Sequence, residues 1–230
     1  MQTPAKVLEM DKTERYIPAL RFGWLTPVYD PLFRWVFREE AFRRHMIEQA
    51  SIQPGMRLLD LGCGTATLTI LVKQLHPGVD VVGIDGDPNV LAIARAKVWK
   101  SGENVTLDQG MVDQLPYADR SFDRILSSLV FHHLNKDSKQ RTFQEISRVL
   151  RPGGELIIVD IGPPHTPWTR LISKFMARLE EASDNIQGAL PGMLQSAGFR
   201  PINEKARWAM IFGTIVFIQA SKPGKEEDGL

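Results

Sequence analysis

Between Arg57 and Asp160 the chain switches repeatedly between two hydrophobic periods, and this alternation limits its fold more than any other feature. Short β-branched or leucine-rich runs at Arg57–Leu61, Val79–Ile84, Asn104–Leu107, Phe122–Ser127 and Glu155–Asp160 are bounded by Gly, Pro or Asp and read as strands. Helical spacing of the apolar residues between them predicts helices over Thr67–Leu75, Pro88–Lys100 and Ser138–Leu150. Strands separated by helices pair in parallel, with helices covering both faces of the sheet. The end of the chain breaks the rhythm. Pro201–Met210 and Thr214–Ala220 read as two strands joined by a short link around Gly213, which predicts an antiparallel hairpin. The expected class is therefore α/β: a mostly parallel, seven-stranded, Rossmann-like sheet with a C-terminal antiparallel hairpin and an N-terminal helical cap.

A chain of 230 residues has room for one such domain and a cap, not for two cores. The expected division is a helical arm over 1–50, the α/β domain over 51–222 with a helical insertion at about 163–192, and a polar tail over 223–230. Lys and Arg number 28 against 27 acidic residues, so no global field points to nucleic acid or an anionic membrane. The longest apolar runs, such as Leu156–Val159, are strand-sized, and nothing at the start of the chain suggests export or an anchor. Cys63 is the only cysteine, which excludes an internal disulfide, a cysteine-built zinc cluster and the three-cysteine cluster of radical enzymes. A cytoplasmic setting is expected.

The segment Leu58-Leu59-Asp60-Leu61-Gly62-Cys63-Gly64-Thr65 reads as strand, glycine turn and helix start. Glycines there allow a tight turn and let a ligand approach closer than any Cβ would permit. A third glycine, as in the pyrophosphate-binding fingerprint, would fall at Thr67, so a ligand without a pyrophosphate fits better. Asp85, at the end of the second strand in Val82-Gly83-Ile84-Asp85-Gly86-Asp87, follows Gly64 by 21 residues. That spacing suits an acid gripping a ribose hydroxyl pair, while Asp87 before Pro88 has the place of a helix cap.

LLDLGCGT, VVGIDGDP, QGMVDQLPYADRSFDRI and RVLRPGGELIIVD, in this order, resemble the successive motifs of class I S-adenosylmethionine-dependent methyltransferases. The chain looks most like the small-molecule branch containing the ubiquinone and menaquinone biosynthesis C-methyltransferases (methyltransferase type 11), which carry a Tyr-Asp pair ahead of the glycine loop, here Tyr29-Asp30. The resemblance implies S-adenosylmethionine as cofactor and S-adenosylhomocysteine as product. It places Gly62, Cys63 and Gly64 beside the methionine moiety, with Asp60 near its amino group and Asp85 on the ribose. It makes Gly110-Met111-Val112-Asp113 the adenine loop, with Asp113 accepting from the exocyclic amine. Tyr29, Thr65, Gly86, Asp87, Ser127 and His132 are further implied members of the cofactor site. In Arg151-Pro152-Gly153-Gly154, the proline is expected to end the preceding helix and the glycines to turn the chain into the next strand.

Methyl transfer from a sulfonium depends mainly on alignment and exclusion of water, although an oxygen or carbon acceptor can also need a general base. The fourth strand delivers Ser127, Ser128 and Leu129, then Phe131-His132-His133-Leu134, to the sheet edge where ligands bind. His132 is the candidate base; a helix-cap or pocket-wall role is the alternative. No metal site is expected, since adjacent histidines on a helix diverge. The loop lacks the Asn/Asp-Pro-Pro-aromatic motif of amino-methylating nucleic-acid enzymes, and Cys63 is misplaced for a cytosine nucleophile, so no nucleic-acid partner is expected.

The stretch 32–38, with Phe42 and Met46, has apolar residues at helical spacing, and Arg34, Arg38, Arg43 and Arg44 are expected on its other side. This arm reads as a cap packed on the sheet or, with Trp168, Phe175 and Met176 of the insertion, as the wall of a small, apolar acceptor's pocket. Stable membrane insertion is not expected, and the oligomeric state stays open. Two other functions remain: a nicotinamide-dinucleotide oxidoreductase on a Rossmann core, and a non-catalytic adenosylmethionine-binding protein.

Overall fold

The computed structural model describes residues 39–176, 180–210 and 213–224. Helix α1 (Glu39–Gln49) leads into β1 (Arg57–Leu61), α2 (Thr67–Leu75), β2 (Asp80–Asp85), α3 (Pro88–Ser101), β3 (Thr106–Gln109) and β4 (Phe122–Ser128). A 3-10 turn at Phe131–His133 precedes α4 (Lys136–Val149) and β5 (Leu150–Gly162). The inserted segment carries α5 (Pro167–Met176) and α6 (Glu180–Ile186), followed by α7 (Leu190–Ser196), β6 (Ile202–Met210) and β7 (Gly213–Ser221).

The strands form one seven-stranded sheet in the order β3-β2-β1-β4-β5-β7-β6. The first five pair in parallel, and β7 runs antiparallel to both β5 and β6. Chain order reverses between β1 and β4, and the loops leaving their carboxyl ends open the crevice where such sheets bind ligands.

Strand alternation divides the core between the two faces. Leu59 and Leu61 of β1 pack with Ile125, Leu156 and Ile158 against Phe143, Ile146 and Val149 of α4 and Leu190 and Leu194 of α7. Leu58 joins Leu126, Ile157 and Phe217 on the other face, under Phe42 and Met46 of α1 and Leu68 and Val72 of α2. Central strands buried on both faces need apolar residues at nearly every position, as Leu58-Leu59 and Leu156–Val159 provide. Phe131 anchors the 3-10 turn: fully buried, it stacks on Phe143 with ring centroids 4.6 Å apart.

Several expectations need correction. The helix expected over Ser138–Leu150 begins at Lys136, because the Asn135 side chain accepts from Ser138 N at 2.8 Å and caps it early. It ends at Val149, where Leu150 turns extended, so Pro152 is not the terminator. Residues 151–154 instead lie within β5, at a register shift: Phe122 pairs with Leu150 and Arg124 with Glu155. Among the described residues the insertion is helical over Pro167–Met176 and Glu180–Ile186. Arg43 does not join Arg44 on the outer side of the arm. It is half-buried, and its charge acts on Asp60, while Arg44 pairs with Glu40 in solvent. Between 39 and 49 the arm is a cap on the sheet, where His45 stacks on Trp208 with centroids 5.5 Å apart. The stretch 32–38, the Tyr29-Asp30 pair, the hairpin link at 211–212 and the side chains of Phe175 and Met176 lie outside the described residues. Among the described residues no helix is long and apolar enough to cross a membrane.

Phe143→Ala removes a fully buried ring that supports both α4 and the 3-10 turn. Urea unfolding is expected to show a loss of about 3–5 kcal/mol; a loss under about 1 kcal/mol would mean that the ring is not part of a close-packed core.

Candidate active site

The glycine loop crosses the carboxyl end of β1 and is shaped by close approach. Gly62 has φ +70°, and a Cβ there would come within 2.5 Å of Cγ2 of Val130, so the loop lies directly against the chain leading into the 3-10 turn. Gly64 has φ +55°, and a Cβ there would meet nothing within 4 Å, which leaves the space above the loop open to a ligand. Ala66, also left-handed at φ 61°, completes the turn into α2.

Asp85 ties this loop to the next one. Its Oδ2 accepts from Gly64 N at 2.9 Å and its Oδ1 from Asp87 N at 2.9 Å, so the carboxylate is fixed between the glycine loop and the start of α3. Burial raises its pKa, and the backbone donors of Asp87, Gly64 and Gly86 partly oppose this. Asp87 is the α3 cap, its Oδ1 accepting from Asn89 N at 2.8 Å. Asp60 is enclosed beneath the loop at 1% exposure, and its Oδ2 accepts from the Thr69 hydroxyl at 2.6 Å. Burial pushes its pKa up to about 6 against the pull of the Thr69 hydrogen bond and the Arg43 charge. The Cys63 thiol is pushed far up, first by burial and then by Asp60 and Asp85, so it stays protonated and is no nucleophile.

The segment 110–117 forms the far wall. Gly110 N donates to the Asp85 carbonyl at 3.0 Å, Val112 is buried in the core, and Met111 is 43% exposed, an apolar side chain left uncovered at the loop's surface. Asp113 is neither bare nor simply solvated: Arg141 of α4 donates to its Oδ2 from Nη2 at 2.7 Å and from Nε at 3.2 Å. The same helix holds the rest of the loop. Glu145 accepts from Leu115 N at 2.7 Å, and Arg148 donates to the carbonyls of Leu115 at 3.0 Å and Tyr117 at 2.7 Å.

At the carboxyl end of β4, Ser127 is fully buried beside Leu61 and Ile158, and its Oγ has no hydrogen-bond partner among the described residues. Leu129 follows at φ +59°, a conformation costly for leucine, held by its N–H to the Val159 carbonyl at 2.8 Å. Asp160, at the end of β5, then gathers the turn. Its Oδ2 accepts from Val130 N at 3.0 Å and Phe131 N at 2.7 Å, and its Oδ1 accepts from Ile161 N at 2.7 Å and from His132 Nδ1 at 2.9 Å. Burial works against its ionisation, but the facing His132 and these donors outweigh it and hold the carboxyl below its usual range. His133 stacks on His132 with centroids 4.0 Å apart and is pushed down to about 4 by burial and by that neighbour, so it is neutral near pH 7.

The sequence-predicted residues of the glycine loop, Asp85 to Asp87, 110–113, Ser127 and His132 thus lie on consecutive carboxyl-end loops of β1, β2, β3 and β4. Asp160 and the α4 clamp were not expected. An acid ending the apolar run 156–159 was the available signal for Asp160, because a charge in such a run must be paired.

Several methyltransferases are similar to this chain in sequence. The methyltransferase domain family matches residues 58–154. A demethylmenaquinone methyltransferase of Thermus thermophilus is 34% identical over 145 residues, covering 62% of this chain and 65% of that protein. The Listeria monocytogenes protein of the same name is 30% identical over 181 residues, covering 69% of this chain and 76% of its own. Among solved structures, an S-adenosylmethionine-dependent methyltransferase from Aquifex aeolicus superposes with a TM-score of 0.66 at 19% identity, over 87% of this chain and 98% of that one.

Asp60 provides a test of the loop's geometry. Because folding raises its pKa from 3.8 to about 6, its contribution to stability is full below about pH 4 and is lost as the pH rises through 6. Asp60→Asn is therefore expected to be more stable than the parent at pH 7.5, by on the order of 3 kcal/mol, with little difference at pH 4. Equal effects in urea unfolding at both pH values would show that the carboxylate is not buried as described.

Proposed function

The chain belongs to the class I S-adenosylmethionine-dependent methyltransferases, and from this we propose that it methylates a small apolar acceptor at the carboxyl edge of β1 and β4. One observation carries the site assignment: the Asp85 carboxylate is fixed at the carboxyl end of β2, against the glycine loop that opens the switch point, with the open space over Gly64 beside it. A carboxylate oxygen already accepting one N–H has a lone pair left, so Asp85 can take the two ribose hydroxyls, one on each oxygen.

The other residues fit the cofactor. Met111 offers an apolar face to adenine, and Asp113 can accept the exocyclic amine on Oδ1 while Arg141 occupies Oδ2. The backbone of the glycine loop from Gly62 to Thr65, with Ser127 at the end of the neighbouring strand, would take the methionine end, and Asp60 beneath the loop supplies negative charge there. When bound, the cofactor supplies an electrophilic methyl group on a sulfonium. The chain supplies alignment, exclusion of water and a destination for the acceptor's proton, for which His132 is the candidate base.

An apolar, ring-bearing acceptor is supported by the relatives named for demethylmenaquinone and by Trp168 and Leu171, which are 53% and 63% exposed on α5 beyond the carboxyl end of β5. The proposed organisation is a helical arm over 1–50, a methyltransferase domain over 51–222 and a tail over 223–230, in a cytoplasmic protein.

Calorimetry is expected to show micromolar binding of S-adenosylmethionine and S-adenosylhomocysteine and none of NAD(H). Asp85→Ala is expected to weaken binding roughly a hundredfold, as for two charge-assisted hydrogen bonds. Binding of the dinucleotide alone would overturn the proposal. Anaerobic incubation with a short-chain demethylmenaquinol is expected to yield a singly methylated product. Protein that binds the cofactor and leaves this probe unmethylated would overturn the acceptor class.

A further inference from the structure

The inserted segment reaches the base. Helix α6 packs on the 3-10 turn and on β5, and it delivers Asn185, which is 1% exposed. Asn185 Nδ2 donates to Oδ1 of Asp160 at 3.1 Å, the oxygen that also contacts His132 Nδ1. With Val130, Phe131 and Ile161, this makes five donors on one carboxylate. The neighbouring Asp184 pairs with the buried Lys139 of α4 at 3.5 Å, so two successive residues tie α6 to the domain.

The chemistry of the contact settles the proton. An ionised carboxylate only accepts, so His132 Nδ1 must carry the hydrogen, and Nε2 is then the ring nitrogen with a lone pair. Likewise Asn185 must present its NH2 to Asp160, which fixes the amide's orientation. The turn lies against the glycine loop, because Val130 fills the space left by the missing Cβ of Gly62. His132, side chain 16% exposed, is thus held next to the loop that binds the cofactor, but not sealed off.

We propose that Asp160 and Asn185 are positioning residues for His132. They fix its ring and its Nδ1–H tautomer, so that Nε2 is the basic atom and seating of α6 is a condition for a poised base. This rests on the assignment of His132 as the base, and it gives the insertion a role beyond covering the site: displacement of α6 withdraws a donor from Asp160 and loosens the imidazole. The atoms that touch the acceptor remain those of His132.

The test is tautomer-resolved ¹H–¹⁵N NMR of the imidazoles in the full-length protein at pH 8, with His132 assigned through His132→Gln and S-adenosylhomocysteine affinity measured on every variant. The parent is expected to show His132 as the Nδ1–H tautomer. Asp160→Asn is expected to mix the tautomers, since an amide can donate as well as accept. Asn185→Ala, the milder change if Asp160→Asn fails to fold, removes one of the donors that hold Asp160 and is expected to change the solvent-exchange rate of the His132 Nδ1 proton severalfold. An Nε2–H tautomer in the parent, or an unchanged His132 spectrum in the folded variants, would overturn the proposal even where S-adenosylhomocysteine binds. The expected spectra without cofactor binding would uphold the clamp and overturn the methyltransferase site instead.

Discussion

Backbone N–H groups on the loops leaving a parallel sheet have no ladder to donate to, and burying them unpaired costs more than most side-chain contacts return. Here two carboxylates collect them. Asp85 takes the amides of Gly64 and Asp87, and Asp160 takes those of Val130, Phe131 and Ile161. Asp85 ends β2 and Asp160 lies near the carboxyl end of β5, and the loops after β1, β2 and β4 that they hold are those of the candidate site. The carboxyl edge is therefore preorganised by charge-assisted hydrogen bonds in addition to its apolar packing.

The same economy links fold to chemistry. Gly62 lets Val130 approach, and this brings the 3-10 turn against the glycine loop. Phe131 secures that turn from below through Phe143, and Asp160 secures it from the side. A left-handed Leu129 is tolerated because both its neighbours in the chain are pinned. The residue that follows this anchorage is His132, so a firmly held stretch of backbone carries the candidate base.

The central strands, the glycine turn and the terminal antiparallel pair were legible in the sequence because each is written locally, in period or in turn residues. What escaped depends on residues far apart in the chain. The Asp160–His132 contact spans 28 residues, the Asn185–Asp160 contact 25, and the Arg141–Asp113 pair 28. Arg43, given to the solvent side by helical spacing, is half-buried, and its charge acts on the buried Asp60. The start of β5 was misplaced because Pro152 and the glycines read as a turn, whereas the register shift against β4 absorbs them within the strand.

The most direct test is a crystal structure with S-adenosylhomocysteine. The ribose hydroxyls are expected on the two oxygens of Asp85, adenine against Met111 with its amine on Asp113, and the sulfur on the side of the glycine loop facing the 3-10 turn. A nucleoside bound elsewhere, or one leaving the Asp85 carboxylate with only its backbone donors, would contradict this assignment.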